Sequence, residues 1–459
     1  MISSTKSALV SAISADRIAS FKKTEDAVFA KGRPVTKAAL GSHKSAFLSG
    51  VPMHWMLDWP MPFPMLVDKA KGAEICDIDG NELDDFCLGD TGSMFGHSPK
   101  PVAKAIRRQA KRGLTYMLPT EDALAVGDLL TERFGPFRWQ IATTASDANR
   151  FALRVARAIT GRKKTLVFNG CYHGAVDETF VKLKDGKTVM KPGLAGQAVD
   201  LTQISVVCEF NDMAGLEKLL AKKDIACLIM EPVLTNSSMV LPQPGFLDAV
   251  RKLTRDTGTL MLIDETHTIS SGLGGYTRTH NLDPDIFVLG KPVAGGVPAS
   301  VWGLSADAAD RFAIYNAGRA PGYSGIGTTL SANPMQFAAM RACLSEVMTK
   351  KNYAHMEQLA ARLEKGLSKV IEARKLPWHV ARVGARVEFI CAPGPLLTGA
   401  EAYAAHRPEL EAAIHIGLLN RGSLIAPFHN MMLISPVTRK RQVDRLIDNF
   451  AAVTYALVS

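Results

Sequence analysis

The sequence predicts an α/β fold with a mainly parallel sheet covered by helices, and three observations carry that expectation. Between about residue 100 and residue 330, short apolar runs alternate with helical text. The runs are KTLVFNG (164–170), ISVVCEF (204–210), ACLIMEPV (226–233), LMLIDE (260–265) and IFVLGK (286–291). Alternation of this kind places helices over a parallel sheet. Two of the runs end in reactive side chains, Asp264 and Lys291, and ligands of open α/β sheets bind beyond the carboxyl ends of strands. The 459 residues are 47% hydrophobic and 21% charged, an ordinary globular composition with room for two or three structural domains.

Residues 1–70 read as one or two helices followed by an irregular segment, GVPMHWMLDWPMPFPM (50–65). Its prolines exclude a regular helix or a central strand, and its Trp, Met and Phe content suggests a buried or cleft-lining loop. From Leu66 the pattern turns to strands around the Asp79-Gly80 turn. Helical text runs from Asn333 to about Lys375. VARVGARVEFICA (380–392) and SLIAPFHNMMLISPV (423–437) read as strands, and a final helix starts at Arg439. The expected organisation is an N-terminal segment (1–95), a large domain (96–335) and a C-terminal small domain (336–459). The two ends together form a small α+β unit.

The formal net charge of +10 is spread along the chain, and short clusters such as TRKRQ (438–442) read as solvated surface, not as a nucleic-acid site. The seven cysteines are scattered with no CxxC pair, so neither a zinc site nor a disulfide framework is expected. Dispersed thiols suit a reducing compartment, and a cytoplasmic location is expected. No apolar run approaches the roughly 20 residues that span a bilayer. The N-terminus lacks the apolar core of a secretory signal. No GxGxxG follows an early strand, which disfavours a Rossmann dehydrogenase.

An acid at one strand end and an amine at the other suits pyridoxal phosphate. The lysine forms a Schiff base with its aldehyde and the aspartate holds its pyridinium nitrogen. Asp264 and Glu265, a Gly-rich connection and GKPVAGGVPAS (290–300) resemble the core of the class III aminotransferases, the ω-aminotransferases of pyridoxal-phosphate fold type I. The branch it most resembles holds glutamate-1-semialdehyde aminomutase and the β-amino-acid aminotransferases. The likeness runs from about Gly72 to the C-terminus.

The resemblance implies roles for further motifs. Thr144, Ala145, Ser146, Asp147 and Ala148 stand where the family has SGTEA, which cups the cofactor phosphate; a helix N-terminus is a ready anion site. A plain helix cap on Thr144 or Ser146 is the other reading. In FNGCYHGAVDETF (168–180), Tyr172 lies against the cofactor ring, worth about 0.5–2 kcal/mol of stacking and cation–π energy, while His173 and Gly174 shape the turn. Glu231 lies near the cofactor at the mouth of the substrate pocket, or is a helix-capping or surface acid. Thr266 sits beneath the ring, where the family usually has valine. His267 either touches the phenolic oxygen of the cofactor or is structural. Burial and the cationic cofactor lower the pKa of Lys291, which lets it move a proton between the substrate carbon and the cofactor. Thr329, in GIGTTLSANPM (325–335), matches the threonine that binds the phosphate of a neighbouring subunit, which implies a homodimer or a higher homo-oligomer with shared sites. Ser93, Met94 and Phe95 approach the substrate.

The shared half-reaction takes nitrogen from a small-molecule amine. Relatives that hold a carboxylate do so with arginines, because a guanidinium binds it bidentately. At the two comparable positions this chain has Trp55 and Pro427-Phe428-His429. Trp55, Trp59, Phe63 and Phe428 therefore predict an apolar pocket, and the expected reaction is transamination from an apolar or arylalkyl amine, or an ω/β-amino compound with a weakly held carboxylate, to an α-keto acid such as pyruvate. Arg421 and Arg386 are the candidates for the keto-acid carboxylate, each with a surface salt bridge as the alternative. An intramolecular aminomutase, a racemase or a decarboxylase uses the same lysine and aspartate and is the rival on this scaffold. A cofactor-binding protein without catalysis would lack the lysine.

Overall fold

The computed structural model describes residues 13–43, 45–427 and 429–459. The chain divides into two compact units. The first takes the residues up to Ser98, Ala354–Pro395 and Ala405–Ser459; the second takes Pro99–Tyr353 and Leu396–Ala404.

The second unit is built on a seven-stranded sheet. In spatial order its strands are Arg138–Ala142, Ser300–Leu304, Ile286–Leu289, Leu260–Asp264, Ile225–Met230, Lys164–Phe168 and Ser205–Cys208. Neighbours run parallel except Ser300–Leu304, which is antiparallel to both of its partners. The expected α/β class with a mainly parallel sheet is what forms. Its central strands are buried at every residue, as a sheet covered on both faces requires. Side chains alternate between two cores. Leu262, Ile286 and Val288 join Phe151 and Val155 of helix Ala145–Thr160 on one face. Met261, Ile263 and Met230 join Phe246 and Val250 of helix Phe246–Thr257 on the other. Asp264 is paired in register with Val288, so the strand carrying the acid and the strand leading to Lys291 end side by side.

In the first unit, helices Ala15–Lys31 and Pro34–Ser42 precede strands Val67–Lys71, Glu74–Asp77 and Glu82–Asp85. The third of these pairs in parallel with Ser423–Leu424, which joins the two ends of the chain in one sheet. A second sheet holds His379–Val383, Arg386–Ile390 and Met431–Leu433, and helix Lys440–Val458 closes the unit. The Asp79-Gly80 turn has a further duty. The Asp79 carboxylate accepts from Val35 N at 2.6 Å and Thr36 N at 3.0 Å, and so caps helix Pro34–Ser42 from a distant part of the chain.

The two compact units part at other places than residues 95, 335 and 336. Residues 336–353 stay with the second unit because helix Pro334–Ala342 packs on helices Lys100–Ala110 and Glu121–Phe134. Arg133 then ties the following turn by donating to Leu344 O at 3.1 Å. Residues 396–404 also belong to that unit: Asn211 donates to Leu397 O at 2.8 Å, and Gly399 lies so close to the Asn169 carbonyl that no side chain fits there. Local helix and strand patterns do not reveal such returns. No helix among the described residues is long and apolar enough to cross a membrane.

Candidate active site

Asp264 is the last residue of its strand and only 4% exposed. Its Oδ2 accepts from Asn149 Nδ2 at 2.9 Å and lies 3.0 Å from His173 Nδ1, and its Oδ1 accepts from Thr266 N at 3.1 Å. Burial pushes this carboxyl up, but the hydrogen bond and charge of His173, with the Thr266 and Asn149 donors, outweigh it and hold the group below the ordinary carboxylate range. Burial pushes the His173 imidazole down, and the bond to Asp264 together with Cys171 reverses that, up to about 10. The strand end therefore carries a fixed carboxylate backed by an imidazolium.

Neither His173 as a partner of Asp264 nor Asn149 was foreseen from the sequence. His173 reads locally as a turn residue. Asn149 also carries His173 O at 3.1 Å, and its one signal is a polar residue on the apolar face of SDANRFALRVAR.

Lys291 follows strand Ile286–Leu289 after one glycine and has φ of +44°, a backbone region that costs a non-glycine residue about 1–2 kcal/mol. Strain of this kind persists where the surroundings over-determine it. Here Glu265 N donates to Val288 O at 2.8 Å, and Gly290 N donates to Thr266 Oγ1 at 3.1 Å. The second bond gives the Thr266 hydroxyl a duty between the two strand ends. Lys291 Nζ lies 2.7 Å from His267 Nε2. Glu265 plays a different part. Wholly buried, it accepts from the Thr268 hydroxyl at 2.6 Å and from Tyr276 N at 3.1 Å, and it pins the loop that follows the strand.

The helix Ala145–Thr160 starts beside this pair. A Cβ on Gly290 would come within 2.7 Å of Ala145 Cβ, so only a glycine lets the two backbones approach this closely. Thr144 is the N-cap, accepting from Asp147 N at 3.2 Å, and helix geometry leaves the N–H groups of Ala145 and Ser146 outside the intrahelical ladder. The capping reading thus holds for Thr144 and leaves those two N–H groups at the positive end of the helix. Ser146 Oγ accepts from Ala175 N at 2.9 Å. Gly174, at φ +84°, packs on Ser146, and a Cβ there would collide with it. The half-buried Tyr172 lies in that turn.

Glu231, at the end of strand Ile225–Met230, is buried and bonded to the Thr235 hydroxyl and to Asn236 Nδ2 at 3.3 Å. Burial pushes its carboxyl up, against the charge of His173. Its burial rules out a surface acid. Thr329 is exposed in the single chain. An anchored carboxylate, a lysine and a helix N-terminus at one sheet edge match the ring nitrogen, the aldehyde and the phosphate of pyridoxal phosphate.

The residues expected to line the substrate pocket lie in the first unit, and several have packing duties there. Met94 and Phe95 are buried at 0% and 2% exposure, as core side chains are. Phe63 packs on Phe29 with ring centroids 5.1 Å apart. Trp59 is half-buried, and Trp55, in the turn His54–Leu57, is 36% exposed. Arg421 is not held in reserve for a ligand. It pairs with Glu25 at 2.8 Å and donates to Gly417 O at 2.6 Å, joining helix Ala15–Lys31 to helix Pro408–Asn420. Arg386 is wholly buried and donates to Thr91 Oγ1 at 2.5 Å, so it is no surface salt bridge. Phe428 lies outside the described residues.

The sequence profile of the aminotransferase class-III family matches residues 57–453. The chain is 34% identical over 376 residues to a glutamate-1-semialdehyde 2,1-aminomutase of Anaeromyxobacter sp. (strain Fw109-5), covering 79% of this chain and 84% of that protein. It superposes with a TM-score of 0.95 and 45% identity on a glutamate-1-semialdehyde-aminomutase from Pseudomonas aeruginosa PAO1, covering 97% of this chain and 100% of that one. A lysine-to-alanine form of that protein, 44% identical to this chain, was solved in complex with PMP. An omega-transaminase from Sphaerobacter thermophilus superposes with a TM-score of 0.83 and 26% identity, covering 90% of this chain and 95% of that one.

Proposed function

The chain belongs to the class III aminotransferases and is a pyridoxal-phosphate enzyme, and from that premise we propose that it shifts an amino group between two carbons of one small substrate. Sequence reasoning ranked this aminomutase reading behind transamination. What supports it is the 45% identity over 97% of the chain to a protein described as an aminomutase. The substrate class is then an amino aldehyde of the glutamate-1-semialdehyde kind.

Bound pyridoxal phosphate supplies an electron-withdrawing ring that stabilises negative charge at the amine-bearing carbon. The residues around it have separate duties. The Ala145 and Ser146 N–H groups hold the phosphate at the positive end of the helix. Asp264, kept ionised by His173, would hold the ring nitrogen. Tyr172 and Thr266 would flank the ring, and Thr266 also ties the two strand ends together. Lys291 Nζ would attach the cofactor and, once released, would carry a proton to and from the substrate carbon. Glu231 borders the same strand edge. Thr329 serves the site of a second copy. Its exposure, beside the exposed apolar side chains Ile314, Tyr315, Tyr323 and Leu330, supports a homodimer.

Transamination to a keto acid is the second reading, and the aromatic segment with Trp55 and Trp59 favours it. One assay separates the two. The loaded protein receives glutamate-1-semialdehyde without a keto acid, and separately an aryl-ethylamine with and without pyruvate. An isomeric amino product that forms without any acceptor supports the mutase. A carbonyl product that appears only when pyruvate is added overturns it in favour of transamination.

A further inference from the structure

His267 takes no part in the reading above, yet its ring stands beside the reactive amine. Its Nε2 is 2.7 Å from Lys291 Nζ, within hydrogen-bonding reach. The side chain is 5% exposed. Its position is fixed twice over. Asp264 and Val288 are in register, Glu265 N is bonded to Val288 O, and Gly290 N is bonded to Thr266 Oγ1. The residues flanking His267 and Lys291 are therefore tied across two neighbouring strand ends. On the far side, His267 O accepts from Ser270 Oγ at 3.0 Å, which holds the start of the turn Thr268–Ser271. The left-handed backbone of Lys291 completes an arrangement in which neither side chain is free to drift.

A lysine amine in water carries a proton at neutral pH, with an ordinary pKa near 10.4, and a protonated amine does not attack a carbonyl. An imidazole with an ordinary pKa near 6.5 is the side chain best matched to accept that proton at neutral pH. We propose that His267 is the proton partner of Lys291: its Nε2 takes a proton from the Lys291 ammonium as that amine condenses with the cofactor aldehyde. The step balances. The ammonium passes one proton to Nε2 and becomes an amine with two hydrogens. Its nitrogen bonds the aldehyde carbon as the C–O bond breaks. The oxygen leaves as water with those two hydrogens, and the proton on Nε2 can pass back to the lysine nitrogen. No oxidant or further reactant is needed. When substrate releases the lysine, the same imidazole can again exchange a proton with its amine.

This inference rests on Lys291 being the attachment point, so the test keeps the two apart. The full chain is stripped of cofactor, pyridoxal phosphate is added, and growth of the visible band is timed from pH 5.5 to pH 10. The wild-type rate is expected to rise through an inflection in the imidazole range and to level off above it. In His267→Met the neutral-pH rate is expected to fall about tenfold or more and to climb only toward the lysine range. His267→Ala is expected to be accelerated by added imidazole, which leaves the wild type unaffected. A His267→Met profile that coincides with wild type overturns the proposal. So does slow uptake with an unshifted profile and no imidazole rescue, since that is a structural defect. If Lys291→Ala forms the same band at the same rate, the attachment itself is wrong, whatever the His267 variants show.

Discussion

Replacing His173 by phenylalanine tests whether the Asp264 carboxylate depends on its buried neighbour. The substitution keeps an aromatic ring in a fully buried position and removes the group 3.0 Å from Asp264 Oδ2. The carboxylate retains two neutral donors, Asn149 Nδ2 and Thr266 N. A hydrogen bond to a charged group contributes about 1.5–3 kcal/mol. At about 1.4 kcal/mol per factor of ten, the dissociation constant for pyridoxal phosphate should rise roughly 10- to 150-fold. Because His173 holds the Asp264 carboxyl down, its loss moves the acid limb of cofactor binding to higher pH. The assay is titration of the cofactor-free protein with pyridoxal phosphate, followed by absorbance between pH 4 and pH 8, with thermal unfolding as a check on folding. An unchanged dissociation constant and acid limb in a folded variant would refute the argument.

Three further outcomes are expected. Thr266→Val removes the acceptor of Gly290 N and leaves that amide unpaired in a buried place, so unfolding should become easier by about 1–3 kcal/mol in denaturant titrations; equal stability would show that the hydroxyl is dispensable. Arg421→Met should cost about 1–2 kcal/mol of stability, given the partial exposure of Arg421, while leaving the KM for any keto acid unaltered; a KM raised tenfold would restore Arg421 to the substrate site. The His173–Asp264 pair sets a pH window for the cofactor-free chain. The raised His173 value stabilises fully below its ordinary pKa near 6.5, and that contribution is lost as pH rises toward about 10. The depressed Asp264 value stabilises above about pH 3.9, and that contribution is lost as pH falls through the lower folded value. Unfolding free energies measured from pH 6 to pH 10 should decline, and the His173→Phe profile should be flatter.

Much of the site is legible in the chain because it is written at strand ends. An apolar run that stops at a carboxylate, and another that stops at a lysine, mark a sheet edge with chemistry on it, and both strands form as read. The small-residue turn at Thr144 starts a helix and Thr144 caps it, because capping is written in the local backbone. Reading failed where a residue's duty depends on a distant partner. Arg421 looks like a spare cation until helix Ala15–Lys31 brings Glu25 to it.

The sequence by itself determined the fold class, the sheet edge that carries Asp264 and Lys291, and the helix start that faces them, because strand periodicity and helix capping are local. Only the tertiary structure decided what surrounds those groups. Asn149 and His173 reach Asp264 across 115 and 91 residues of chain, and Thr266 and His267 meet Gly290 and Lys291 across 24. Hydrogen bonds and charge act over a few ångströms in space, whatever the separation along the chain, so the state of a buried ionisable group is set by packing that no local pattern records.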